Sequence, residues 1–227
     1  MTALPPRALN RMAKERRILD SALKVFADQG YSGTSMDAIA ALAGVSKPTL
    51  YQYFGSKEQL FAAIMLQQRD TLLGAFEEPD GLGLVPELWA FGWHYADTVL
   101  RPDFLSLARL IIGEAQRFPE IGRAYQAAGP ERVLRGMMDY LNAKKAEGRL
   151  SFEDAELTAE DLWGLILSAP RNRALHDPQN LPSRAEIHRF VTNGLRVFLK
   201  AYSTDPGADL AQLKTLSEQG PTSTGTP

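Results

Sequence analysis

Apolar residues recur along almost the whole chain at the three- and four-residue spacing of an amphipathic α-helix. In the first such segment, Ile18, Ala22, Val25 and Phe26 form one stripe, and Gly30 follows as a C-terminal stop signal. No segment shows the sustained two-residue alternation with β-branched residues that indicates a strand. The pattern therefore predicts an all-α protein.

The residues that interrupt the apolar segments locate the ends of the predicted helices. We expect helices near residues 11–29, 35–42, 46–53, 57–76, 85–100, 103–117, 119–127, 130–147, 155–168 and 183–202, with a loop at 77–81. Both ends of the chain are rich in Pro, Gly, Ser and Thr. We expect residues 1–10 and 203–227 to be disordered, because such segments bury too little apolar surface to fold.

Several predicted helices begin with residues that can cap them. In a capping box, a Ser or Thr side chain accepts a hydrogen bond from the backbone N–H three residues later, where an acidic residue or Gln bonds back. The pairs with this spacing are Thr34 with Asp37, Ser56 with Gln59, Ser151 with Asp154, Thr158 with Asp161, and Ser183 with Glu186. Each pair predicts a helix start.

Residues 33–60 have the spacing of a helix-turn-helix. A short amphipathic helix ends at Gly44, a second begins at Ser46, and small residues between them permit a close, steep crossing. Leu50 and Phe54 are four residues apart and are expected to face the interior. The second helix then presents Lys47, Thr49, Tyr51, Gln52 and Tyr53, which are suited to contact phosphates, base edges and thymine methyl groups.

The charge distribution agrees with a nucleic-acid partner for this segment. Residues 1–69 contain nine basic and five acidic side chains, whereas the remainder contains 16 basic and 22 acidic ones, so a segment of +4 precedes one of −6. Only a DNA-binding part must meet phosphates, and the rest can be acidic without penalty. The sequence thus indicates a basic DNA-binding segment attached to a larger domain with another role.

The helix-turn-helix segment resembles the N-terminal domain of the TetR family of bacterial transcriptional regulators. The family pattern G-x-x-x-T/S-x-x-x-I-A-x-x-A-G-V-S-x-x-T-L-Y-x-Y-F-x-S-K-E-x-L is matched at Gly30, Thr34, Ile39, Ala40, Ala43, Gly44, Val45, Ser46, Thr49, Leu50, Tyr51, Tyr53, Phe54, Ser56, Lys57, Glu58 and Leu60. The resemblance covers about residues 14–62. It implies a three-helix DNA-binding domain, an all-helical ligand-binding and dimerisation domain, and repression released by a small molecule.

The resemblance also implies which residues contact DNA. Base contacts are expected from Lys47, Pro48, Tyr51 and Gln52, and phosphate contacts from Thr34, Ser46, Thr49, Tyr53 and Lys57. Arg11 belongs to a basic run with Arg7, Lys14, Arg16 and Arg17, which either reaches phosphates or the minor groove or forms a solvated first turn. Asp37 stands where some relatives place a base-contacting residue, and we expect it to act as a helix cap instead.

The domain prediction follows from these patterns. We expect a disordered N-terminus at 1–10, a DNA-binding domain at 11–56, an effector-binding and dimerisation domain at 57–202, and a disordered tail at 203–227. Beyond residue 70 the resemblance is weaker. It rests on architecture and on a turn of the PEI-x-x-x-Y type, at Pro119, Glu120, Ile121 and Tyr125.

The larger domain is rich in large apolar side chains that could line an effector site between helices. The candidates are Trp89, Trp93, His94, Phe104, Arg109, Phe118, Tyr125, Met137, Tyr140 and Trp163. Together they favour a hydrophobic or amphipathic effector. The alternative is that these residues simply fill the core.

The last two predicted helices are candidates for a homodimer interface. The helix at 183–202 has one wide apolar stripe, and the helix at 158–168 is apolar on more than one face. The expected interface residues are Leu162, Leu165, Ile166, Ile187, Phe190, Val191, Gly194, Leu195 and Phe198. Pairing with a second copy would place two recognition helices on a palindromic site. The alternative is that both stripes are buried within one chain.

Other classes of protein receive less support from the sequence. The chain has no Cys, its longest apolar run is residues 60–66, and no signal-peptide segment is found near the start, so we expect a cytoplasmic protein. The sequence shows neither a paired nucleophile and base nor a phosphate-binding loop, so no motif indicates an enzyme. His94 and Asp97 could chelate a metal only with a third ligand, and we expect neither a metal nor a cofactor. A purely architectural DNA binder is disfavoured by the size of the second domain.

These observations together predict a sequence-specific DNA-binding transcriptional regulator. We expect a homodimeric repressor that is released from a palindromic operator by a small hydrophobic or amphipathic effector.

Overall fold

A computed structural model describes residues 5–73 and 81–220, and this part of the chain forms eleven α-helices. They are α1 (Pro6–Gly33), α2 (Met36–Ala43), α3 (Lys47–Phe54), α4 (Lys57–Leu73), α5 (Leu84–Val99), α6 (Pro102–Glu114), α7 (Pro119–Ala128), α8 (Pro130–Ala146), α9 (Ala155–His176), α10 (Arg184–Tyr202) and α11 (Pro206–Gln219). The all-α prediction is confirmed. The predicted loop at 77–81 lies outside the described residues except for Gly81, as do residues 1–4 and 221–227 of the predicted disordered ends.

The helices group into two compact units. The first unit consists of residues 1–69 and 103–129, and the second of residues 70–102 and 130–227. This division differs from the predicted domain boundary after residue 56, because most of α4, together with α6 and α7, packs in the first unit. The boundary between a DNA-binding and an effector-binding domain stays a prediction about function.

An aromatic cluster lies at the centre of the first unit. Phe26 and Tyr31 of α1 stack with their ring centroids 5.6 Å apart, and Phe61 of α4 packs edge-on against both rings. Phe118, just before α7, adds another edge contact to Tyr31. Burial and the neighbouring carboxylate of Glu58 raise the pKa of Tyr31 to about 12. The cluster joins the end of α1 to α4 and to the start of α7.

The second unit contains a closely packed antiparallel pair, α9 and α10. Arg173 near the end of α9 pairs with Glu186 near the start of α10, and Tyr202 at the end of α10 bonds to Asp161 near the start of α9. A Cβ atom added to Gly194 of α10 would lie 2.7 Å from the carbonyl oxygen of α9 residue 165. Only a residue without a side chain therefore permits this approach of the two helices.

The predicted disorder of residues 203–227 is wrong for residues 206–219, which form α11. Asp205 caps the helix through the N–H of Ala208, and Asp209 and Leu213 are each only 2% exposed. Arg149 donates a hydrogen bond to the Asp209 carboxylate at 2.8 Å. The composition of the tail as a whole did not reveal this short segment, and the ion pair between the buried Asp209 carboxylate and the distant Arg149 could not be predicted from it.

Two other helix ends differ from their predictions. α1 begins at Pro6, so residues 6–10, which we expected to be disordered, are helical. Proline is suited to this position because the first helical residues have no intrahelical acceptor for an N–H. α9 was predicted to end at residue 168, but it continues through Pro170 to His176. Pro170 is buried, and the tertiary packing of this segment outweighs the cost of proline in a helix.

The capping predictions have mixed outcomes. Ser56 and Ser183 accept hydrogen bonds from the N–H groups of Gln59 and Glu186, as predicted. At α2 the cap is Ser35, which accepts from the N–H of Ala38, so the prediction of Thr34 with Asp37 is wrong by one residue. Thr34 and Ser35 both carry a hydroxyl, and the cap is Ser35, whose side chain is exposed.

At α9 the predicted caps are also wrong. Asp154 is the N-cap and accepts from the N–H groups of the next two helical residues, Glu156 and Leu157. Thr158 lies inside the helix and donates to the carbonyl oxygen of Asp154, and residue 151 precedes the helix by several positions. A carboxylate can accept both N–H groups, which a single hydroxyl cannot do as well.

Candidate functional site

The turn between α2 and α3 is built around Gly44. This residue has φ +62° and ψ +40°, a left-handed conformation that is favourable for glycine and costly for most other residues. Its N–H and that of Val45 bond back to carbonyl oxygens in the last turn of α2. Ala40 and Ala43 of α2 are buried beside this turn. The local sequence thereby fixes the direction in which α3 leaves α2.

α3 is short and is capped by its own side chains. Ser46 accepts a hydrogen bond from the N–H of Thr49, and the two hydroxyl oxygens are 2.8 Å apart. Leu50 is fully buried and Phe54 is 7% exposed, so the predicted inward face is confirmed. Two apolar residues four positions apart therefore anchor one side of the helix and leave the other side accessible.

The accessible side of α3 carries the four residues predicted to contact bases. Lys47, Pro48, Tyr51 and Gln52 are all exposed, and the Tyr51 side chain is 42% exposed. They follow one another over about one and a half turns, so the structure brings them to one surface. Their contacts with bases stay a prediction.

The N-terminal basic run approaches the same helix. The guanidinium carbon of Arg11 and the ammonium nitrogen of Lys14 each lie 5.9 Å from the centroid of the Tyr53 ring. Arg7, Arg16 and Arg17 are exposed. Two cations of α1 therefore lie beside α3, and contact of this run with phosphates stays a prediction.

Thr34, a predicted phosphate contact, is buried instead. Its side chain is 4% exposed, and its hydroxyl donates to the carbonyl oxygens of Gly30 at 2.7 Å and Val25 at 3.3 Å. A hydroxyl has one proton to donate, and here backbone carbonyls at the end of α1 accept it. In this structure the Thr34 hydroxyl is therefore engaged within the protein, and its contact with a phosphate stays a prediction.

Lys57, also predicted to contact a phosphate, is held by backbone carbonyls. Its ammonium donates to the carbonyl oxygens of Tyr31 at 2.8 Å and Thr34 at 3.2 Å and lies 4.6 Å from the Tyr31 ring centroid. The side chain thus connects the start of α4 to the segment between α1 and α2. The predicted contact of Lys57 with a phosphate stays a prediction.

The candidate effector residues do not form one group. In the first unit, Phe118 and Tyr125 pack against the core of that unit, Phe104 is buried, and Arg109 donates to Ser106 Oγ. Phe118 and Tyr125 are therefore partly buried against this core, and effector contact by either residue stays a prediction.

In the second unit the remaining candidates lie in separate surroundings. Trp89 and Trp93 of α5 pack against His188 of α10, whereas Trp163 of α9 bonds to the Tyr95 hydroxyl. Met137 is buried and His94 is partly exposed. The Trp93 indole nitrogen is buried and has no hydrogen-bond partner among the residues described by the structure.

Tyr140 takes part in a polar cluster rather than an open pocket. Its hydroxyl donates to Glu87 at 3.0 Å, and Lys144 pairs with the same carboxylate at 3.0 Å. Burial alone would raise the pKa of Glu87, but hydrogen bonds from Lys144 and Tyr140 lower it on balance. Burial and the Glu87 charge raise the pKa of Tyr140. Tyr140 is therefore bonded within this polar cluster, and its contact with an effector stays a prediction.

Most of the predicted dimer residues are buried within the single chain. Leu162, Ile166, Val191, Leu195 and Phe198 have no exposed area, and Ile187 and Gly194 are also buried. They lie in the interior of the second unit and have almost no surface to give to a partner. Leu165 and Phe190 are partly exposed, and their place in a dimer interface stays a prediction.

Comparison with known proteins agrees with this architecture. Residues 18–64 match the family of bacterial regulatory proteins described as the tetR family, and residues 86–204 match the AefR-like transcriptional repressor C-terminal domain. The second match alone covers about half of the chain. The chain belongs to the TetR family. It is a transcriptional regulator of a class that is not enzymatic and that generally binds DNA.

Individual TetR-family relatives support the assignment over most of the chain. The HTH-type regulator YhgD of Bacillus subtilis is 30% identical over 155 residues, which cover 64% of this chain and 76% of YhgD. A TetR-family regulator from Mesorhizobium loti has a TM-score of 0.76 and 31% identity, and the flavonoid-responsive regulator FrrA has 0.70 and 32%, each covering 85% of this chain and 98% of theirs. Some curated regulators match over about a third of their length.

One feature of the TetR-family surface was not predicted from the sequence. Lys47 of α3 forms an ion pair with Asp37 of α2, with 2.9 Å between Nζ and Oδ2. Hydrogen bonding to Asp37 and its charge raise the pKa of Lys47. The two residues are ten positions apart, and only the crossing of α2 and α3 brings them together. Opposite charges on the outer faces of the two helices were the available sequence signal.

Residues 5–73 and 81–220 contain neither a membrane-spanning helix nor a cluster of metal ligands. No helix there combines the length and the low polarity that a membrane span requires. No group of at least three metal-ligating side chains comes together there. Asp97, considered with His94 as a metal ligand, pairs with Arg184.

Proposed function

We propose that this TetR-family regulator binds a palindromic operator as a homodimer and is released from it by a small effector. The observation that carries the DNA-binding part is the accessible surface of α3, where Lys47, Pro48, Tyr51 and Gln52 lie together. A Lys side chain can contact guanine O6 and N7, and Gln can contact adenine N6 and N7. The match to a repressor C-terminal domain supports repression over activation.

The operator can be found by selecting bound sequences from random or genomic DNA. In the selected duplex, Lys47→Ala and Tyr51→Ala should each weaken binding by about 1–3 kcal/mol and relax base preference. Lys200→Ala removes an equal charge from an exposed site on α10 and is the matched control. Unchanged binding by both α3 variants would contradict the assignment of the recognition helix.

A homodimer is supported by the outer face of the α9 and α10 pair. Leu165 and Phe190 are partly exposed, Val197 lies on the same side of α10 as Phe190, and Leu157 of α9 is 64% exposed. Apolar surface of this kind is commonly covered by a second copy in a two-fold dimer. Two recognition helices would then fit half-sites about 34–36 Å apart.

Sedimentation of the full chain tests the dimer. A dimer should sediment at about 50 kDa, twice the chain mass of 25.0 kDa. Phe190→Asp should shift it towards the monomer, whereas Arg189→Asp at the exposed neighbouring position is the control for the added charge. A wild-type monomer that binds its operator tightly would overturn both the dimer and the palindrome.

The effector is proposed to be aromatic and amphipathic and to bind in the second unit. Trp89 and Trp93 pack against His188 there and supply aromatic surface, and the buried Trp93 indole N–H, which has no hydrogen-bond partner among the described residues, can donate to a polar group of the effector. The similar protein FrrA is described as flavonoid-responsive, which supports an aromatic compound with polar substituents.

A panel of flavonoids, with fatty acids for comparison, tests this class. A binding compound should quench tryptophan fluorescence and lower DNA affinity by about 5- to 150-fold, and DNA should weaken its binding by the same factor. Trp93→Phe replaces the indole by a smaller aromatic ring without an N–H, and it should weaken effector binding more than operator binding. Neither quenching nor DNA release across the panel would contradict ligand control by this class.

A further inference from the structure

The ion pair between Asp37 and Lys47 places opposite charges at the start of the recognition helix. Lys47 is the first residue of α3, and Asp37 lies in the first turn of α2. Their side chains are 53% and 65% exposed, so the pair is on the surface and not part of the core. Such a pair contributes little to folding, and its position argues for a role in binding.

The pair neutralises a cation that would otherwise be available to any phosphate. Affinity for DNA of arbitrary sequence depends on the number of phosphates that lysines and arginines neutralise. While Lys47 is bound to Asp37, its charge is compensated within 2.9 Å. The nearby Arg11 and Lys14 each lie 5.9 Å from the centroid of the Tyr53 ring. The recognition helix therefore begins with no net charge, although it begins with a lysine.

Asp37 also restricts what the surface can accept. A carboxylate is repelled by phosphates, and in the major groove it can accept a hydrogen bond only from an amino group of cytosine or adenine. An ionised carboxylate has no proton to donate. On a sequence that offers such an amino group beside a guanine, Asp37 and Lys47 can both be satisfied. On other sequences the carboxylate is left facing acceptors or phosphates, which is unfavourable.

We propose that Asp37 is a specificity-determining residue, which binds Lys47 in the free protein and thereby lowers affinity for DNA of arbitrary sequence. The inference rests on the proposed function, since it takes α3 as the helix that enters the major groove. It extends that function by assigning a role to a residue of α2 that we had expected only to cap the helix.

The test compares Asp37→Asn with Asp28→Asn. Both substitutions remove one negative charge from an exposed carboxylate, but Asp28 lies on α1. The probes are a duplex selected by the wild-type protein from random DNA and a random-sequence duplex of the same length. Affinity for each probe is measured over a range of salt concentrations, and thermal unfolding confirms that the variants are folded.

The Asp37→Asn variant should bind the random duplex about three- to tenfold more tightly per DNA-binding domain, with less gain on the selected duplex. Its plot of log affinity against log salt should steepen by about 0.9 per domain, because Lys47 becomes free to neutralise a phosphate. The Asp28→Asn variant should keep the wild-type slope. The double variant with Lys47→Ala should lose the gain, because Asp37 acts through that lysine.

Equal effects of the two single variants would overturn the inference, since a general charge effect would explain them. A loss of affinity for both duplexes in Asp37→Asn would also overturn it. Failure of the proposed function is distinguishable, because the wild-type protein would then select no duplex at all.

Discussion

Glu114 at the end of α6 accepts a hydrogen bond at 3.0 Å from the backbone N–H of Tyr31, although the two residues are 83 positions apart. Tyr31 also packs on Phe26, Phe61 and Phe118, and its carbonyl oxygen accepts from Lys57. The end of α1 is therefore held by α4 and by α6, which precede and follow α5 in the sequence. In the first unit, α6 directly supports the segment that leads into the helix-turn-helix.

Removing the Glu114 carboxylate should weaken this support. Glu114→Ala leaves the Tyr31 N–H without its acceptor, and we expect the free energy of unfolding to fall by about 1–2 kcal/mol. Urea unfolding measures the loss, and Glu153→Ala, an exposed carboxylate in the second unit, is the control. If the two variants unfold alike, the hydrogen bond contributes nothing measurable to the first unit.

Gly30 next to this bond should not tolerate a side chain. Its φ is +71°, and an added Cβ atom would lie 3.0 Å from the Glu114 carboxylate oxygen. We expect Gly30→Ala to destabilise the protein by about 1–2 kcal/mol, because a left-handed conformation is costly for alanine. Gly33→Ala is the matched control, since the Cβ there would have an ordinary 3.6 Å contact. The prediction is wrong if both variants have the wild-type melting temperature.

The residues of the helix-turn-helix could be predicted because their pattern is local. Gly44, Ser46, Leu50 and Phe54 act through neighbours within one or two turns, and the structure places them as the spacing predicts. Lys57 could not be assigned in this way. Its acceptors are backbone carbonyls 23 and 26 positions away, which become neighbours only after α1 and α4 pack.

Most residues of the predicted dimer stripe are buried within the single chain, and the sequence could not foresee this for a related reason. The periodicity of Ile187, Val191, Leu195 and Phe198 shows that one face of α10 must be buried, but not whether the same chain or a second copy covers it. Within the second unit, α5 and α9 cover it, helped by the absence of side chains at Gly92 and Gly194. α9 directly precedes α10 and α5 is distant in sequence, but the pattern identifies neither as the covering helix, so it left both alternatives open.

The buried carboxylate of Asp209 should be needed to hold α11. Arg149 and the Ser203 hydroxyl both donate to it, and its side chain is only 3% exposed. We expect Asp209→Ala to lower the free energy of unfolding by about 1–3 kcal/mol. The loss is limited because Arg149 is 42% exposed and water can replace its partner.

Unfolding in urea and proteolysis of the C-terminal segment measure this effect. Glu218→Ala on the same helix is the control, since Glu218 is 67% exposed and its oxygen lies 3.9 Å from Lys214 Nζ. Equal protease sensitivity of the Asp209 and Glu218 variants would mean that the α11 contacts do not depend on this carboxylate.

The cluster of Glu87, Tyr140 and Lys144 should make the stability of the second unit depend on pH in the acid range. Glu87 accepts from both partners and from the N–H of Gly83, and its pKa is lowered in the folded protein. Its contribution is therefore fully present above the unfolded pKa of about 4.5 and is lost as the pH falls through the lower folded value.

Glu87→Gln should destabilise the protein by about 1–2 kcal/mol at pH 7, because the amide keeps the shape of the side chain but not its charge. The difference from the wild type should shrink below about pH 4.5, where the wild-type carboxylate also becomes neutral. Glu147→Gln is the control, since Glu147 pairs with the same lysine at 3.3 Å but is 53% exposed. Urea unfolding of the three proteins from pH 3.5 to 7 measures the curves. A gap between Glu87→Gln and the wild type that stays constant over this range would show that the charge of Glu87 does not stabilise the cluster.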